Sequence, residues 1–200
     1  MNILFLTRRF YPQIGGVETH VLELGKRIIQ DGHRLTVITE MKSNLSSAPH
    51  SLSSIEGIEI IRINNGKDNW FKKIRIWKEL FKQQKLIRNA DIVHCHDVFF
   101  WYLPFRFIYP LKRVYTTFHG YETKFPPLKK AIFIRKLSKK LSFGNICVGN
   151  YIEKWYGTNA DFIIYGGVHT AERHTGVNHN MQVNIIFIVM LHADLAVNTY

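Results

Sequence analysis

The sequence predicts an α/β fold, a Rossmann-like parallel sheet with helices on both faces. Short runs rich in Ile, Val, Leu and Phe recur along the chain, and segments of helical period lie between them. Strands buried on both faces read as such continuous apolar runs, and crossover helices are what cover a parallel sheet. The 200 residues suit one full domain and the start of a second, since single domains cluster at about 100 to 150 residues. A hydrophobic fraction of 46% with 21% charged residues is ordinary for a soluble globular chain and excludes disordered and fibrous classes.

Residues 3–7 form the first strand. After a loop carrying Gly15 and Gly16, Val17, Val21, Leu24 and Ile28 recur at steps of four, three and four, one face of a helix, and Gly32 supplies the stop. Residues 34–39 read as the second strand, the Ser-rich stretch 43–54 as a loop, and 58–63 as the third strand. Over 70–88, Ile74, Trp77 and Phe81 share one helical face while most of the seven Lys and Arg lie elsewhere. Residues 91–95, 114–118 and 145–148 are the next three strands, with 162–165 a candidate seventh. Between the fifth and sixth, Leu128, Ile132, Ile134, Leu137 and Leu141 alternate with paired basics in a helix-like pattern. The periodicity fails over 166–182 and strand character resumes at 184–188. The expected division is a domain over 1–168, a linker over 169–183 and the start of a second Rossmann-like domain over 184–200.

Cys95 and Cys147 both fall in predicted strands and lack the density of a secreted disulfide framework, so both are expected to be reduced and buried. Residues 3–6 are too short for a signal-peptide core and no basic residue precedes them, which points to a cytoplasmic location. The longest apolar stretch, 98–111, contains Arg106 and two prolines and falls short of the roughly 20 residues a membrane span needs.

The net charge of +12 is concentrated: 18 of the 27 Lys and Arg lie between Lys67 and Lys140, against five acids. Interleaved with Trp70, Phe71, Trp77 and Tyr109, this region suits nucleic acid or an anionic membrane surface. No RNA or DNA module motif accompanies it, so nucleic acid is not an expected partner. Paired lysines such as Lys129-Lys130 and Lys139-Lys140 on amphipathic helices suit a lipid interface, with a plain solvated basic face as the alternative.

The loop of residues 8–17 joins a buried strand to a helix N-terminus. Gly15 and Gly16 let a ligand approach the backbone, and the free amides at the helix start suit a phosphate. The dinucleotide fingerprint is absent, because the spacing from the strand is wrong and no third glycine follows. A plain structural turn is the competing reading. Glu18 serves either the cleft or only the electrostatics of the helix start, and His20, one turn into the helix, faces either cleft or solvent, with solvent favoured. His94, inside a strand, reads as a core histidine. His96 and Asp97, at that strand's end, are either functional or turn residues.

The combination is more specific than its parts. Gly15-Gly16-Val17-Glu18 opening a helix, then Asp91-Ile92-Val93-His94-Cys95-His96-Asp97, then Thr117-Phe118-His119-Gly120-Tyr121-Glu122, resembles the retaining family 4 glycosyltransferases of GT-B architecture in order and spacing. Ile163-Ile164-Tyr165-Gly166-Gly167-Val168 is similar to the segment that crosses between the two lobes of that family. The resemblance covers residues 1–168. It implies an acceptor-side N-terminal lobe, a sugar nucleotide as donor, a glycan or lipid-linked acceptor, and retention of configuration. Gly15 and Gly16 would approach the donor diphosphate. His119 matches the family histidine near the transferred sugar, and Glu18, His20, His96, Asp97 and Glu122 would lie on the acceptor or sugar rim.

No metal or other cofactor is expected: His169, His174 and His179 are spaced by five residues in a glycine-containing stretch, unlike a zinc site. Where the family's second lobe carries a Gly-Arg pair that helps bind the donor phosphates, this chain has Val189 and Met190. The 200-residue chain is therefore expected to be inactive alone, through truncation, frameshift or dependence on a separate donor lobe. A non-catalytic binding module or inactive truncated remnant at a membrane surface, and a nucleotide or nucleic-acid binder of generic Rossmann type, are the alternatives.

Overall fold

The computed structural model describes residues 1–41, 53–66, 68–69, 71–120 and 125–165. The apolar runs become β1 (Asn2–Thr7), β2 (Arg34–Glu40), β4 (Ile58–Ile63), β5 (Ile92–His96), β6 (Arg113–Phe118), β7 (Gly144–Val148) and β8 (Phe162–Ile164). An additional strand, β3 (Ser53–Ile55), forms at the end of the stretch expected to be loop. It pairs antiparallel with β4 through a turn in which Glu56 and Gly57 both take positive φ. Its sequence, Ser-Ser-Ile, carries no apolar run to announce it.

The sheet order is β3-β4-β2-β1-β5-β6-β7-β8, and every neighbour pair except β3 and β4 is parallel. From β1 the chain works outward through β2 to β4, then returns to the other side of β1 at β5 and works outward to β8. The direction of winding reverses between β1 and β5. In open α/β sheets that reversal opens a crevice beyond the carboxyl ends of the strands, where ligands bind.

Helix α1 (Gly16–Gln30) covers one face of the sheet, burying Val21, Leu24, Gly25 and Ile28 against Ile3, Phe5, Val37, Ile58 and Ile60. Gly25 lets α1 lie close to the sheet: a Cβ there would stand 2.7 Å from Ile58 Cδ1 and 2.9 Å from Leu35 Cδ2, and those buried methyls would have to shift. The opposite face is covered by α2 (Lys72–Lys82), α3 (Gln84–Asn89) and α4 (Phe99–Ile108), with Leu4, Leu6, Ile38, Val93, Cys95 and Val114 beneath them. Helices α5 (Lys129–Leu141) and α6 (Tyr151–Tyr156) pack near β7 around Phe118, Cys147 and Ile152.

Two helical faces differ from the expectation. The segment 70–88 is interrupted at Gln83 and divides into α2 and α3, and the inward row of α2 is Ile76 and Leu80, while Ile74 and Phe81 are exposed. In α5 the inward row is Ala131, Arg135 and Ser138, with Phe133 and Leu128 exposed. In both, a step of four or three selects the fully buried row, while Trp77, Ile132, Ile134, Leu137 and Leu141 are half-buried beside it. Cys95 and Cys147 are free and fully buried, and burial pushes both thiols up, Cys147 to about 12. Among the described residues no helix is long and apolar enough to cross a membrane. The expected linker and second-domain start, and Glu122, lie outside the described residues.

Candidate active site

Strand register lines up the site. Thr7 pairs with His96 and His96 with Thr117, so the last turns of β1, β5 and β6 end in one row beside the winding reversal. Residues two apart on a strand share a face. His94 and His96 of β5 therefore stand with Phe5 of β1 on the side that α1 covers, the Phe5 ring edge-on to both imidazoles at 5.2 and 4.9 Å. His94 packs on His96 at 4.2 Å, and His96 lies 5.3 Å from His119, which follows β6. His20, on the second turn of α1, closes the stack with its ring 5.0 Å from His119. Its expected exposure to solvent is thus corrected: the helix start leans over the strand ends and carries His20 onto the cleft.

Hydrogen bonds fix the imidazoles from below. His94 Nε2 lies 2.7 Å from Thr117 Oγ1, which gives the core histidine its partner, and His96 Nδ1 lies 3.0 Å from His119 Nε2. Burial lowers the pKa of every member. His20 falls to about 4, and His94 to about 3 with a contribution from His20. His96 is held well below the ordinary value by burial and by His94, His119 and His20, and His119 by burial and by His20, His94 and Arg135. At neutral pH the stack is uncharged. In the bond between His96 and His119 one nitrogen therefore donates and the other accepts, which ties the His119 tautomer to that of His96. Among the described residues no three His, Cys, Asp or Glu side chains are arranged to hold a metal ion.

Asp97, directly after β5, adopts φ 59°, the left-handed region. There its N–H donates to the Thr117 carbonyl at 3.0 Å, and its carboxylate accepts the N–H of His119 at 3.0 Å. Asp97 is thus a turn residue, and its turn holds His119. The Tyr151 hydroxyl, from the start of α6, donates to the His119 carbonyl at 3.1 Å.

A cleft of about 1140 Å³ lies over these groups, lined among others by Thr7, Gly15, Gly16, Glu18, His20, His96, Asp97 and His119. Every expected site residue among those described is on it. Gly15 is the N-cap of α1 with extended backbone and no side-chain cap, and the Thr19 N–H returns to its carbonyl. A Cβ on Gly15 would meet the Glu18 carboxylate, which lies over the helix start. A Cβ on Gly16 would have nothing within 4 Å. Neither internal packing nor a positive φ asks for glycine at position 16, whereas close approach of a ligand to the backbone would. At the far end of the cleft, Lys72 bridges Glu40 at 3.1 Å and Asp68 at 3.5 Å, with Arg8 3.9 Å from Glu40.

A site residue not anticipated from the sequence is Arg135 of α5. It is fully buried, donates to the Gly120 carbonyl, stands 3.8 Å from the Asp97 carboxylate, and lies over the Tyr156 and Phe118 rings at 3.8 and 4.9 Å. The signal that could have found it is the helical row Ala131, Arg135, Ser138, in which two small residues flank one cation.

Comparison with known proteins assigns this architecture. The model of Glycosyltransferase Family 4 matches residues 14–172. The chain belongs to glycosyltransferase family 4. Among curated proteins it is 22% identical over 102 residues to one of the subunits of human phosphatidylinositol N-acetylglucosaminyltransferase, and the match covers 49% of this chain and 20% of that protein. Among solved structures, sucrose-phosphate synthase from Thermosynechococcus elongatus superposes with a TM-score of 0.64 at 12% identity, covering 84% of this chain and 48% of the other. A glycosyltransferase from Rickettsia africae gives 0.57 at 22% identity, covering 84% and 43%. The described family 4 lobe thus corresponds to less than half the length of each, and the structural likeness is one of fold.

Proposed function

We propose that this family 4 domain is the acceptor-side half of a glycosyltransferase, which moves a sugar from a sugar nucleotide to a glycan or lipid-linked acceptor with retention, without a metal, when a donor lobe faces its cleft. The observation that carries the reading is that Gly15, Gly16 and His20 at the start of α1, and His119, remote from them in sequence, line one cleft at the winding reversal of a parallel sheet. The helix start at Gly15 and Gly16 offers unpaired amides to the diphosphate. His119, held neutral, acts through a ring N–H or lone pair on a sugar hydroxyl, a preorganised dipole near the reacting centre. Glu18, His96 and Asp97 complete the rim by lining, tautomer control and turn geometry, and Glu122 is assigned to the same rim by resemblance. The name of the human relative makes phosphatidylinositol the first acceptor to assay and N-acetylglucosamine the first sugar.

The test is a fusion of residues 1–168 to a family 4 donor lobe, assayed with labelled sugar nucleotides. Transfer is expected from the fusion and not from the 200-residue polypeptide, with product anomers of retained configuration by NMR. His119→Ala should lower turnover by about 10² or more. Full activity in that variant would remove the assignment, and robust transfer by the unfused polypeptide would remove the need for a second lobe.

The surface of α2 supports a membrane-facing version of this function. Phe71, Ile74 and Phe81 are exposed beside exposed Lys73, Lys78 and Lys82, an apolar and cationic mixture that suits an anionic lipid interface. Such a surface would bring a lipid-linked acceptor to the cleft.

A further inference from the structure

We propose that Arg135 is a positioning residue of the transfer site: from α5 it clasps the two loops that follow β5 and β6, and so sets where His119 stands. The proposal rests on the reading of His119 as the group nearest the sugar. Helix α5 carries five lysines, all outside its buried row, while Arg135 alone among its charges is turned fully inward. Burying a cation is costly, and an apolar side chain of similar volume would fill the space between Tyr156 and Phe118 without that cost. What an apolar side chain could not do is bond the backbone and the acid that hold His119. Arg135 donates to the carbonyl of Gly120, the residue after His119, and faces the carboxylate of Asp97, which accepts the N–H of His119 itself. Both sides of His119 are thereby referred to one guanidinium. Asp97 is held in the left-handed region, a conformation uncommon for a non-glycine residue that the surrounding bonds must sustain. Both contacts are made by one guanidinium nitrogen, Nη2, and the group is held there by the Tyr156 and Phe118 rings it lies over, a stacking that a lysine ammonium, a point charge on a flexible stem, does not reproduce.

The consequence is that Arg135 governs the bond between His96 and His119, hence the tautomer His119 presents. The test uses the 200-residue chain labelled with ¹⁵N-histidine, its imidazole nitrogens followed by NMR against pH, with His119 assigned by the signal lost in His119→Gln. In Arg135→Lys, the His119 nitrogens should lose their single-tautomer pattern and move toward averaged shifts, while those of His94, bonded to Thr117, stay in place. In Arg135→Met, the same change should come with a rise in the His119 titration midpoint, since a nearby cation is removed. If Arg135→Met does not fold, Arg135→Lys decides. Unchanged His119 signals in a variant whose melting temperature has fallen would make Arg135 a structural brace only and overturn the proposal. So would parallel shifts of His94 and His119, which would report a general loosening. Because no transfer is measured, an inactive fusion enzyme would count against the proposed function and leave this result standing.

Discussion

At the scale of single residues, the site is a stack of four imidazoles kept neutral by burial, and that neutrality has a price in acid. The unfolded chain takes up these protons near pH 6.5, whereas folded His20 does so only at about 4, and His94, His96 and His119 are also lowered. Unfolded chain thus binds more protons below pH 6.5, so the stability these residues contribute is complete above that value and is lost as pH falls toward the folded-state values. Each histidine adds a slope of up to about 1.4 kcal/mol per pH unit in that window. Urea unfolding between pH 6.5 and 5 should show a steep decline, and His20→Gln should flatten it by up to one such increment. A flat profile over that range would mean that the stack protonates without cost. His119 and its neighbours were legible in the sequence because they end apolar runs and match a family pattern. Arg135 was not, since nothing in one sequence says that a helix rich in Lys turns one of its cations inward.

At the scale of elements, α1 contains two glycines with opposite reasons for being there. Gly25 lies against the buried terminal methyls of Ile58 and Leu35, so in Gly25→Ala overpacking of about 1 to 3 kcal/mol works against a helix-propensity gain of about 1 kcal/mol, and a net loss of stability is expected. Gly16 has open space around its would-be Cβ, so Gly16→Ala should leave thermal stability unchanged or raise it by up to about 1 kcal/mol, while weakening use of the sugar nucleotide by the fusion enzyme. Thermal melts of the two variants, beside the transfer assay, check both statements. A matched loss of stability at position 16 would return that glycine to a purely structural role. The strands were readable because a parallel sheet buried on both faces demands unbroken apolar runs. The helix faces of α2 and α5 were less so: Ile74 and Phe81 in α2, and the half-buried Ile132, Ile134 and Leu137 in α5, compete with the rows that turn fully inward, and the choice is made by the neighbouring element and not by local periodicity. Helix α6 is only six residues long, too short for periodicity to mark.

At the scale of the whole molecule, the charge of +12 and the exposed apolar and cationic side chains of α2 predict binding to vesicles containing anionic lipid, weakening as salt rises past about 0.15 M, where screening acts within about 8 Å. Co-sedimentation with neutral and anionic vesicles checks it. Equal binding to both, or preference for DNA, would sink it. The topology was legible to the level of a doubly wound sheet, and the edge strand β3 was not, because its pairing depends on β4 and a tight turn and not on its own composition. The winding reversal has one more consequence. It builds the site on β1 and β5, each flanked by partners on both sides, while the three-residue strands β3 and β8 form the margins. The amide hydrogens beneath the cleft should therefore be the slowest in the domain to exchange with solvent, and those at the margins the fastest. The margins can then open while the floor of the cleft keeps its shape.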